Sequence, residues 1–380
     1  MNYLDNAATS YPKPDAIYQN LGNWIRKYGA NPGRAGHRFG LETNRVIYET
    51  RELLNKLFNG ENPLHFVFTA NATDSINMVI MGLLKEGDHV VTTETEHNAV
   101  LRPLELAKQR GVETSVVPVN DQGIVDPLAI EAAITDHTKL VVCSHASNVT
   151  GAIQPIEKIA SIVAEKDCYF MVDAAQSAGI LPIDLQKTSI DFLAITGHKS
   201  LYGIQGVGVL YLRNPLDLPI VKAGGTGSRS QELMQPDVMP DRFEPGTLNT
   251  PGILSLGEGI KFVMEQGLER LHQKESVLTK MLIEGLNKIQ TVKVYGPKVE
   301  ENRVPVVSFN LSNYDSAELS YVLDEEYGIV TRGGLHCAPL IHKKLGTLNQ
   351  GAVRISLSAF TTEDEIKEVL GAIQKISDQI

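Results

Sequence analysis

From about residue 65 to residue 213, short apolar runs alternate with longer amphipathic stretches. The runs are rich in β-branched and aromatic residues, which favours buried strands, and the stretches between them have the period of helices. The predicted strands are HFVFTA (65–70), HVVTTE (89–94), TSVVPV (114–119), KLVVCSHAS (139–147), YFMVDAA (169–175), DFLAIT (191–196) and VGVLYLR (207–213). This alternation predicts a mostly parallel sheet with helices on both faces. The loop before the last run is too short for a crossover helix, so we expect that strand to be antiparallel.

The pattern changes after Pro251, where a long helical stretch leads to three more predicted strands. These strands lie in VKVYG, RVPVVSFNL and AVRISLS, and further helices are predicted over 316–326 and 362–377. We therefore expect an α/β protein with a large domain at 15–255 and a smaller α+β domain formed by 1–14 together with 256–380.

Composition and charge exclude several classes of partner. With 42% hydrophobic residues, the chain of 380 residues can bury a large core. The formal charge of −10 provides no basic surface for nucleic acid, and neither a signal-peptide pattern nor an apolar run of about 18 residues is present. Three cysteines without a CxxC pair argue against a disulfide framework. We expect a cytoplasmic protein with neither nucleic acid nor membrane as a partner.

Polar residues follow several of the predicted strands. In an open α/β sheet, ligands bind beyond the carboxyl ends of the strands, so these residues are the first candidates for a functional site. They are Asn71, Ala72 and Thr73; Glu96, His97 and Asn98; Ser147 and Asn148; Asp173 and Gln176; and Thr196, Gly197, His198 and Lys199. Groups of these types can bind an aromatic, phosphorylated cofactor.

Lys199 and Asp173 carry the most specific chemistry. A lysine in a dry pocket has a lowered pKa and can form a Schiff base, whereas most lysines are solvated surface residues. An acidic residue at the end of a preceding strand, here Asp173, is what a protonated pyridine nitrogen requires. Asp173 can also be a helix N-cap. The two residues together favour a Schiff-base cofactor.

Other residues suggest where a phosphate and an aromatic ring would bind. Thr73 starts an amphipathic helix, whose free N–H groups and dipole favour an anion, although Thr73 can also be a simple N-cap. Thr196 and His198 flank Lys199 and are candidates for further phosphate contacts. His97 is placed to lie over a ring face, although a lone histidine is more often a structural residue.

Arg354 interrupts an apolar strand in AVRISLS. An unpaired charge there would be costly, so the guanidinium needs a partner. Two explanations stay open: a carboxylate ligand bound by two hydrogen bonds, or a salt bridge to an Asp or Glu of the chain.

Cys337 lies in TRGGLHCAPL (331–340), which has no apolar periodicity to bury it. Cys143 and Cys168 lie in or beside apolar runs and are predicted to be structural. Cys337 is therefore the candidate nucleophile.

The neighbours of Cys337 suggest how it would react. A thiol needs a cationic neighbour to be a strong nucleophile at neutral pH, and Arg332 and His336 could provide one. The two glycines at 333–334 are expected to form a hinge. A metal site of Cys337, His336 and His342 is an alternative, but the spacing matches no common zinc pattern.

Motifs along nearly the whole chain, in matching order, point to a known family. They are YLDNAAT, TETEHNA, SNVTGAIQPI, VDAAQSAG, TGHK and RFEPGTLNT. Together they resemble the class V aminotransferase family of pyridoxal-phosphate enzymes, which have fold type I. More narrowly, the chain resembles the cysteine desulfurase and selenocysteine lyase branch. The segment around Cys337 is most similar to the second group of desulfurases, the sulfur-mobilisation type, although Leu335 and the stretch GGTGSRSQELMQPDVMPDRFEPGT depart from that group.

The resemblance implies that one set of residues binds pyridoxal 5′-phosphate. It comprises the Schiff-base lysine, the carboxylate partner of the pyridine nitrogen, a donor to the phenolic oxygen, a histidine that stacks on the ring and moves protons, and the phosphate ligands. In that order they are Lys199, Asp173, Gln176, His97, and then Thr73, Thr196, His198 and Thr247. In the family the last of these reaches the phosphate of the neighbouring subunit, which implies a homodimer with shared sites.

The resemblance also implies the substrate contacts and the reaction. Asn148 and Arg354 match the residues that bind the substrate carboxylate, and Arg332 and His336 are expected at the same site. The implied substrate is L-cysteine: the Schiff-base lysine removes the Cα proton, Cys337 becomes a persulfide and alanine leaves. A separate protein would then accept the sulfur.

Two other functions stay open from the sequence alone. The same residues could serve a selenocysteine lyase that acts on L-selenocysteine, or another cysteine β-lyase. The chain could also be a non-catalytic scaffold that binds pyridoxal phosphate, or a sulfur relay protein.

Overall fold

The computed structural model describes residues 2–32, 37–299, 301–312 and 314–379. Its helices are α1 (Asp15–Lys27), α2 (Arg38–Leu57), α3 (Ala72–Leu83), α4 (Asn98–Lys108), α5 (Pro127–Ala133), α6 (Ile156–Val163), α7 (Thr250–Gln266), α8 (Leu268–Leu286), α9 (Ser316–Tyr327), α10 (Pro339–Leu345) and α11 (Glu363–Ser377). Its strands are β1 (Asn2–Tyr3), β2 (Phe66–Thr69), β3 (His89–Thr93), β4 (Glu113–Val117), β5 (Thr138–Ser144), β6 (Tyr169–Asp173), β7 (Phe192–Thr196), β8 (Gly208–Leu212), β9 (Val292–Tyr295), β10 (Val306–Leu311), β11 (Ile329–Val330), β12 (Arg332–Gly334) and β13 (Ala352–Ser356). Within these ranges no helix has the length and apolar character needed to cross a membrane.

Seven strands form the large sheet, in the order β2-β8-β7-β6-β5-β3-β4. The strands from β7 to β4 are parallel, and β8 is antiparallel to both β7 and β2. These are the seven strands that the alternation predicts, and the antiparallel direction of the last one is confirmed. The strand predicted at 139–147 ends earlier, at Ser144, because its polar tail turns into the loop that carries Asn148.

Both faces of the large sheet are buried. Val141 and Cys143 pack into the core on one face, and Val142 and Met171 pack into the core on the other. Successive side chains of a strand point to opposite faces, so a strand that is apolar throughout needs a cover on both sides. A ligand must therefore bind at an edge of the sheet. In a parallel sheet this is the edge where the carboxyl ends of the strands lie.

The second half of the chain forms a four-stranded antiparallel sheet, in the order β12-β13-β10-β9. Helices α8, α9 and α11 share one apolar core with it, which contains Leu282, Leu323, Ile366, Phe309 and Val353. The N-terminal residues join this part of the molecule, since β1 pairs with β11 and Asp5 bridges to Ser356.

The long helical stretch predicted after Pro251 is two helices. Gly267, with a φ of 83°, separates α7 from α8, and glycine adopts this left-handed conformation without strain. Helix α7 crosses the predicted domain boundary at residue 255, and its Leu256 and Ile260 lie in the core of the large sheet. The division into two domains stays a prediction, and its ranges include residues 1, 33–36, 300, 313 and 380, which lie outside the described residues.

Helix α7 packs closely against the chain just after Lys199, and Gly259 makes this approach possible. A Cβ atom at Gly259 would collide with the main-chain oxygen of Leu201. Gly371, in α11, is exposed and has open space where a Cβ atom would lie. Gly259 therefore has no room for a Cβ atom, whereas Gly371 does.

We predict that alanine at these two glycines changes stability in opposite directions. Gly371→Ala should raise the free energy of unfolding by about 0.5–1 kcal/mol, because alanine has the higher helix propensity. Gly259→Ala should lower it by about 1–3 kcal/mol, because the added methyl group overpacks the contact with Leu201. Denaturant unfolding of both variants beside the wild type measures the difference. A stabilised Gly259→Ala protein would contradict the close packing described for α7.

Candidate active site

A cavity lies at the carboxyl edge of the large sheet, where β5, β6 and β7 end. Its wall contains most of the predicted site residues, from both halves of the chain: Thr73, His97, Asn148, Asp173, Gln176, Thr196, His198, Lys199, Arg332, His336 and Arg354. Cys337 and Thr247 are not part of the wall. The structure thus brings the predicted residues together, while their individual roles stay predictions.

Asp173 and Lys199 lie close enough to affect each other's charge. Asp173 ends β6, is 4% exposed, and accepts a hydrogen bond at Oδ1 from the Ala175 N–H at 2.9 Å. Burial raises the pKa of Asp173, while the Ala175 hydrogen bond and Lys199 act in the opposite direction. Burial lowers the pKa of Lys199 to about 8, against the effect of Asp173. Asp173 caps a turn, so the alternative of a helix N-cap is wrong.

A group of unpartnered donors and acceptors lies beside the first turn of α3. Asn71 is the N-cap of this helix and accepts from the Asp74 N–H at 2.9 Å, so the alternative of Thr73 as the N-cap is wrong. The first N–H groups of a helix have no intrahelical acceptor. Thr196 Oγ1 and His198 Nδ1 are buried without a hydrogen-bond partner in the described chain. An anion with several oxygens, such as a phosphate, fits this end of the cavity.

His97 presents a neutral ring to the cavity. It is the N-cap of α4, and its Nδ1 accepts from the Ala99 N–H at 3.0 Å, which leaves the ring proton on Nε2. Burial, followed by the charges of Lys199 and Arg332, lowers the pKa of His97 to about 4. His97 therefore combines the structural role with a position from which it can contact a bound ring.

Arg354 lies in the middle of β13 and is 1% exposed. Its Nη2 forms an ion pair with Asp5 Oδ1 at 2.5 Å, and its Nη1 donates to the Asn148 main-chain oxygen at 3.2 Å. The salt bridge left open by the sequence is thus present, yet Arg354 also lines the cavity and its Nε has no partner in the described chain. An added carboxylate can satisfy that donor.

The segment TRGGLHCAPL contains a strand, a turn and the start of a helix. In β12, Arg332 lies opposite Arg354 and Gly333 lies opposite Val353. A Cβ atom at Gly333 would collide with the Ser316 main-chain oxygen, so this glycine allows α9 to pack closely. Gly334, with a φ of 116°, has open space where a Cβ atom would lie, so close packing accounts for only one of the two glycines and the hinge stays a prediction.

The Cys337 sulfur lies beside a positive charge. Its Sγ is 4.0 Å from Nη2 of Arg332. The His336 ring donates from Nε2 to the Ala352 main-chain oxygen at 3.0 Å, and burial lowers the pKa of His336 to about 2. Because His336 is neutral, the cationic role expected for it is wrong, and the positive charge near the sulfur comes from Arg332.

The other two cysteines, Cys143 and Cys168, are part of the packed interior. Cys143 lies in the core of the large sheet and Cys168 packs against that core, as predicted. Burial raises the pKa of Cys168 to about 11, which makes it a poor nucleophile.

The metal site considered for Cys337, His336 and His342 would need the two histidines close together, and their rings are 5.6 Å apart. Among the described residues, no group of three or more His, Cys, Asp or Glu side chains is arranged to bind a metal.

Thr247 is exposed and lies outside the cavity that holds the other predicted phosphate ligands. Its Oγ1 accepts from Asn31 Nδ2 at 3.4 Å. Contact between Thr247 and a phosphate in the cavity of another subunit stays a prediction.

The N-terminal segment 5–13 supports the site in ways that the sequence did not indicate. Gln176 donates from Nε2 to the Ala7 main-chain oxygen at 3.1 Å. Lys13 donates from Nζ to the His198 main-chain oxygen at 2.9 Å, and burial lowers the pKa of Lys13 to about 8. The signal available was the motif YLDNAAT, which the resemblance includes without assigning a contact.

Glu96 follows β3 but does not line the cavity. Its Oε1 accepts from the Ser144 N–H at 3.0 Å and from Thr93 Oγ1 at 2.7 Å. Burial raises the pKa of Glu96 to about 8. Glu96 therefore stabilises the end of β5 through its hydrogen bond with Ser144.

Comparisons with known proteins identify the family of the chain. The family model described as Aminotransferase class-V matches residues 2–369. A protein of Pyrococcus abyssi named "Probable cysteine desulfurase" is 34% identical over 387 residues, which cover 98% of this chain and 94% of that protein. The cysteine desulfurase IscS of Clostridium botulinum is 33% identical, with 99% of this chain and 94% of that protein covered.

A solved structure supports the fold as well. The apo cysteine desulfurase from Thermococcus onnurineus NA1 matches with a TM-score of 0.94 at 33% identity, over 100% of this chain and 95% of that chain. The fold type I architecture that the resemblance implies is thereby confirmed. From the match along almost its full length, the chain belongs to the class V aminotransferase family.

Proposed function

We propose that the chain is a pyridoxal-phosphate-dependent cysteine desulfurase, which converts L-cysteine to L-alanine and leaves a persulfide on Cys337. One observation carries the proposal: Lys199, Asp173 and Arg354 line one cavity, and Arg332 reaches from its wall to within 4.0 Å of the Cys337 sulfur. The relatives named as cysteine desulfurases support the same assignment.

Pyridoxal phosphate, when bound, supplies an electron-withdrawing ring that stabilises negative charge at the substrate Cα. The unpartnered atoms beside α3 and the buried carboxylate of β6 fit its two ends. The residues that would hold it, from the phosphate to the ring nitrogen, are Thr73, Thr196, His198, Gln176 and Asp173, with His97 against the ring face and Lys199 for covalent attachment.

The carboxylate of L-cysteine would bind at Arg354. The unpartnered Nε of this residue is a buried donor that a carboxylate oxygen can satisfy. Asp5 keeps the guanidinium in place through Nη2, and Asn148 keeps it in place through Nη1. The substrate is thus oriented by an arginine whose position does not depend on the substrate.

Lys199 and Cys337 perform the two central steps. Lys199 removes the Cα proton, since its lowered pKa makes a share of free amine available near neutral pH. The Cys337 sulfur then bonds to the substrate sulfur as the Cβ–S bond breaks, and the electron pair stays with the carbon fragment. Lys199 returns the Cα proton to that fragment, Cβ takes up the proton that the Cys337 thiol loses, and the fragment leaves as alanine. His97, which is neutral, donates a hydrogen bond from Nε2 that orients the fragment while these protons move. The thiol is oxidised to a persulfide while the carbon is reduced, so no external oxidant is needed.

Three further parts of the proposal concern the setting of the enzyme. A homodimer is required if Thr247 contacts a phosphate, because it lies outside the cavity of its own chain. Each turnover leaves one sulfur on the enzyme, which must be removed before the next, and in the proposal a separate acceptor protein takes it. A cytoplasmic location is supported by the three free cysteines, Cys143, Cys168 and Cys337.

We predict that Cys337→Ser binds pyridoxal phosphate normally but loses desulfuration. The yellow absorbance should be unchanged, because Lys199 and Asp173 are intact, while alanine formation from L-cysteine should fall more than about 100-fold. Cys168→Ser is the matched control and should keep wild-type activity. Mass spectrometry of the wild type after one turnover should place the extra sulfur on Cys337. Alanine formation at the wild-type rate in Cys337→Ser would exclude the role given to this cysteine.

We predict that cofactor loading depends on pH through Lys199. With a pKa of about 8, the share of free amine should rise about tenfold between pH 7 and pH 9 and then level off, whereas an unshifted lysine would continue to rise. Stopped-flow absorbance during the addition of pyridoxal phosphate to cofactor-free protein measures the rate.

The control for this experiment addresses Lys13, whose pKa is also lowered to about 8. Lys13→Gln should keep the same pH profile if Lys199 is the titrating group. His97 and His198, with pKa values of about 4, stay neutral over the whole range. A rate that still rises tenfold per pH unit above pH 9 would contradict the lowered pKa of Lys199.

A further inference from the structure

We propose that two hydrogen bonds form a latch that fixes the turn carrying the Cys337 sulfur next to the cavity wall, which makes Asn98 and Asn148 positioning residues for sulfur transfer. The inference rests on the proposed function and deepens it. In the latch, the Asn98 main-chain N–H donates to the Cys337 main-chain oxygen at 2.7 Å. The Asn148 side chain donates from Nδ2 to the His336 main-chain oxygen at 2.6 Å.

The turn held by the latch has an unfavourable backbone. His336 and Cys337 have φ angles of 50° and 58°, in the left-handed region that residues other than glycine rarely enter. Two such residues in succession persist only where their surroundings fix them. The two hydrogen bonds of the latch are made to the main-chain oxygens of these same two residues. The latch therefore stabilises the strained conformation.

The latch connects the turn to the edge of the large sheet. Asn98 is the first residue of α4 and directly follows His97. Asn148 lies in the loop after β5 and lines the cavity. The turn itself follows β12, which belongs to the small sheet. The latch therefore sets the distance between the sulfur, which one sheet carries, and Lys199, which the other carries.

Asn148 also joins the turn to the carboxylate site. Its main-chain oxygen accepts from Arg354 Nη1 at 3.2 Å, while its side chain holds the His336 carbonyl. A substrate whose carboxylate is bound at Arg354 is thus aligned through one residue with the turn that carries the Cys337 sulfur. A change in the latch should alter sulfur transfer more than substrate binding.

The Asn98→Pro variant removes one bond of the latch with little other change. Proline has no N–H and is well accepted at the first position of a helix. The preceding residue, His97, has a φ of −72° and a ψ of 156°, the extended conformation that a following proline requires. Asn98→Ala is the matched control, because it removes the same side chain and keeps the N–H.

Hydrogen exchange in the cofactor-free protein tests the latch directly. The peptide spanning 331–340 should exchange about tenfold faster in Asn98→Pro than in Asn98→Ala, since one hydrogen bond to the turn is lost. Peptides from β6 and β7 should exchange equally in both variants and serve as the internal reference. Equal exchange of the 331–340 peptide in the two variants would overturn the proposal.

The effect of the latch on turnover is measured with the enzyme that has pyridoxal phosphate bound. With L-cysteine, Asn98→Pro should lower kcat for alanine formation about tenfold relative to Asn98→Ala, with KM changed less than about twofold. Exchange of the substrate Cα proton with solvent, which needs Lys199 and not the turn, should continue at the control rate. Loss of this proton exchange together with kcat would show general damage to the site and would overturn the positioning role.

Failure of the latch and failure of the proposed function give different results. If the wild type forms no alanine from L-cysteine, the proposed function fails, and hydrogen exchange still decides the latch. Asn148→Ala removes the other bond and serves as the second variant if Asn98→Pro does not fold. It should also accelerate exchange of the 331–340 peptide relative to the wild type, and unchanged exchange in this variant would overturn the proposal.

Discussion

A buried guanidinium connects the parts of this molecule. Arg354 is 1% exposed, and a charge at that depth is tolerated only when it is paired and hydrogen-bonded. Its partners are the Asp5 carboxylate and the Asn148 main-chain oxygen. Removing one partner of a buried ion pair costs about 3–5 kcal/mol. Because Asp5 comes from the N-terminal segment and Asn148 from the loop after β5, the requirement to satisfy one charge fixes three separate segments at the cavity.

Burial also determines which ionisable groups around the cavity are charged and which are neutral. It lowers the pKa of His97 and His198 to about 4 and that of His336 to about 2, and in each case it is the largest cause. The positive charge is thereby concentrated on the arginines and on Lys199, whose pKa of about 8 leaves it partly protonated at neutral pH. A phosphate and a substrate carboxylate need positive charge or N–H donors, whereas a stacked ring needs a neutral neighbour such as His97. The cavity provides each in a different place.

Local sequence patterns predicted the large sheet and the residues that meet at its edge, because strand formation and the position of a strand end are both local properties. Long-range partners could not be predicted in this way. Asp5 pairs with Arg354 across 349 residues, and no local pattern shows which acidic residue pairs with a buried arginine. The use of the glycines at 333–334 could not be decided from the sequence either, because the absence of a Cβ atom serves both flexibility and close packing. The close approach of Ser316 identifies packing as the reason for Gly333, and it is visible only in the folded chain.

The same close packing fixes the strand that leads to the cysteine. Strand β12 pairs with β13 along its whole length, so the two glycines before the cysteine turn are part of a paired strand. The left-handed turn at His336 and Cys337 follows this strand, and its carbonyls are held by residues of the large-sheet edge. A change confined to this turn would move the sulfur while Arg332, in the paired strand, stays beside Arg354. The proposed latch thus assigns control over sulfur transfer to the start of α4 and to the loop after β5, and through Asn148 that loop also contacts the carboxylate site.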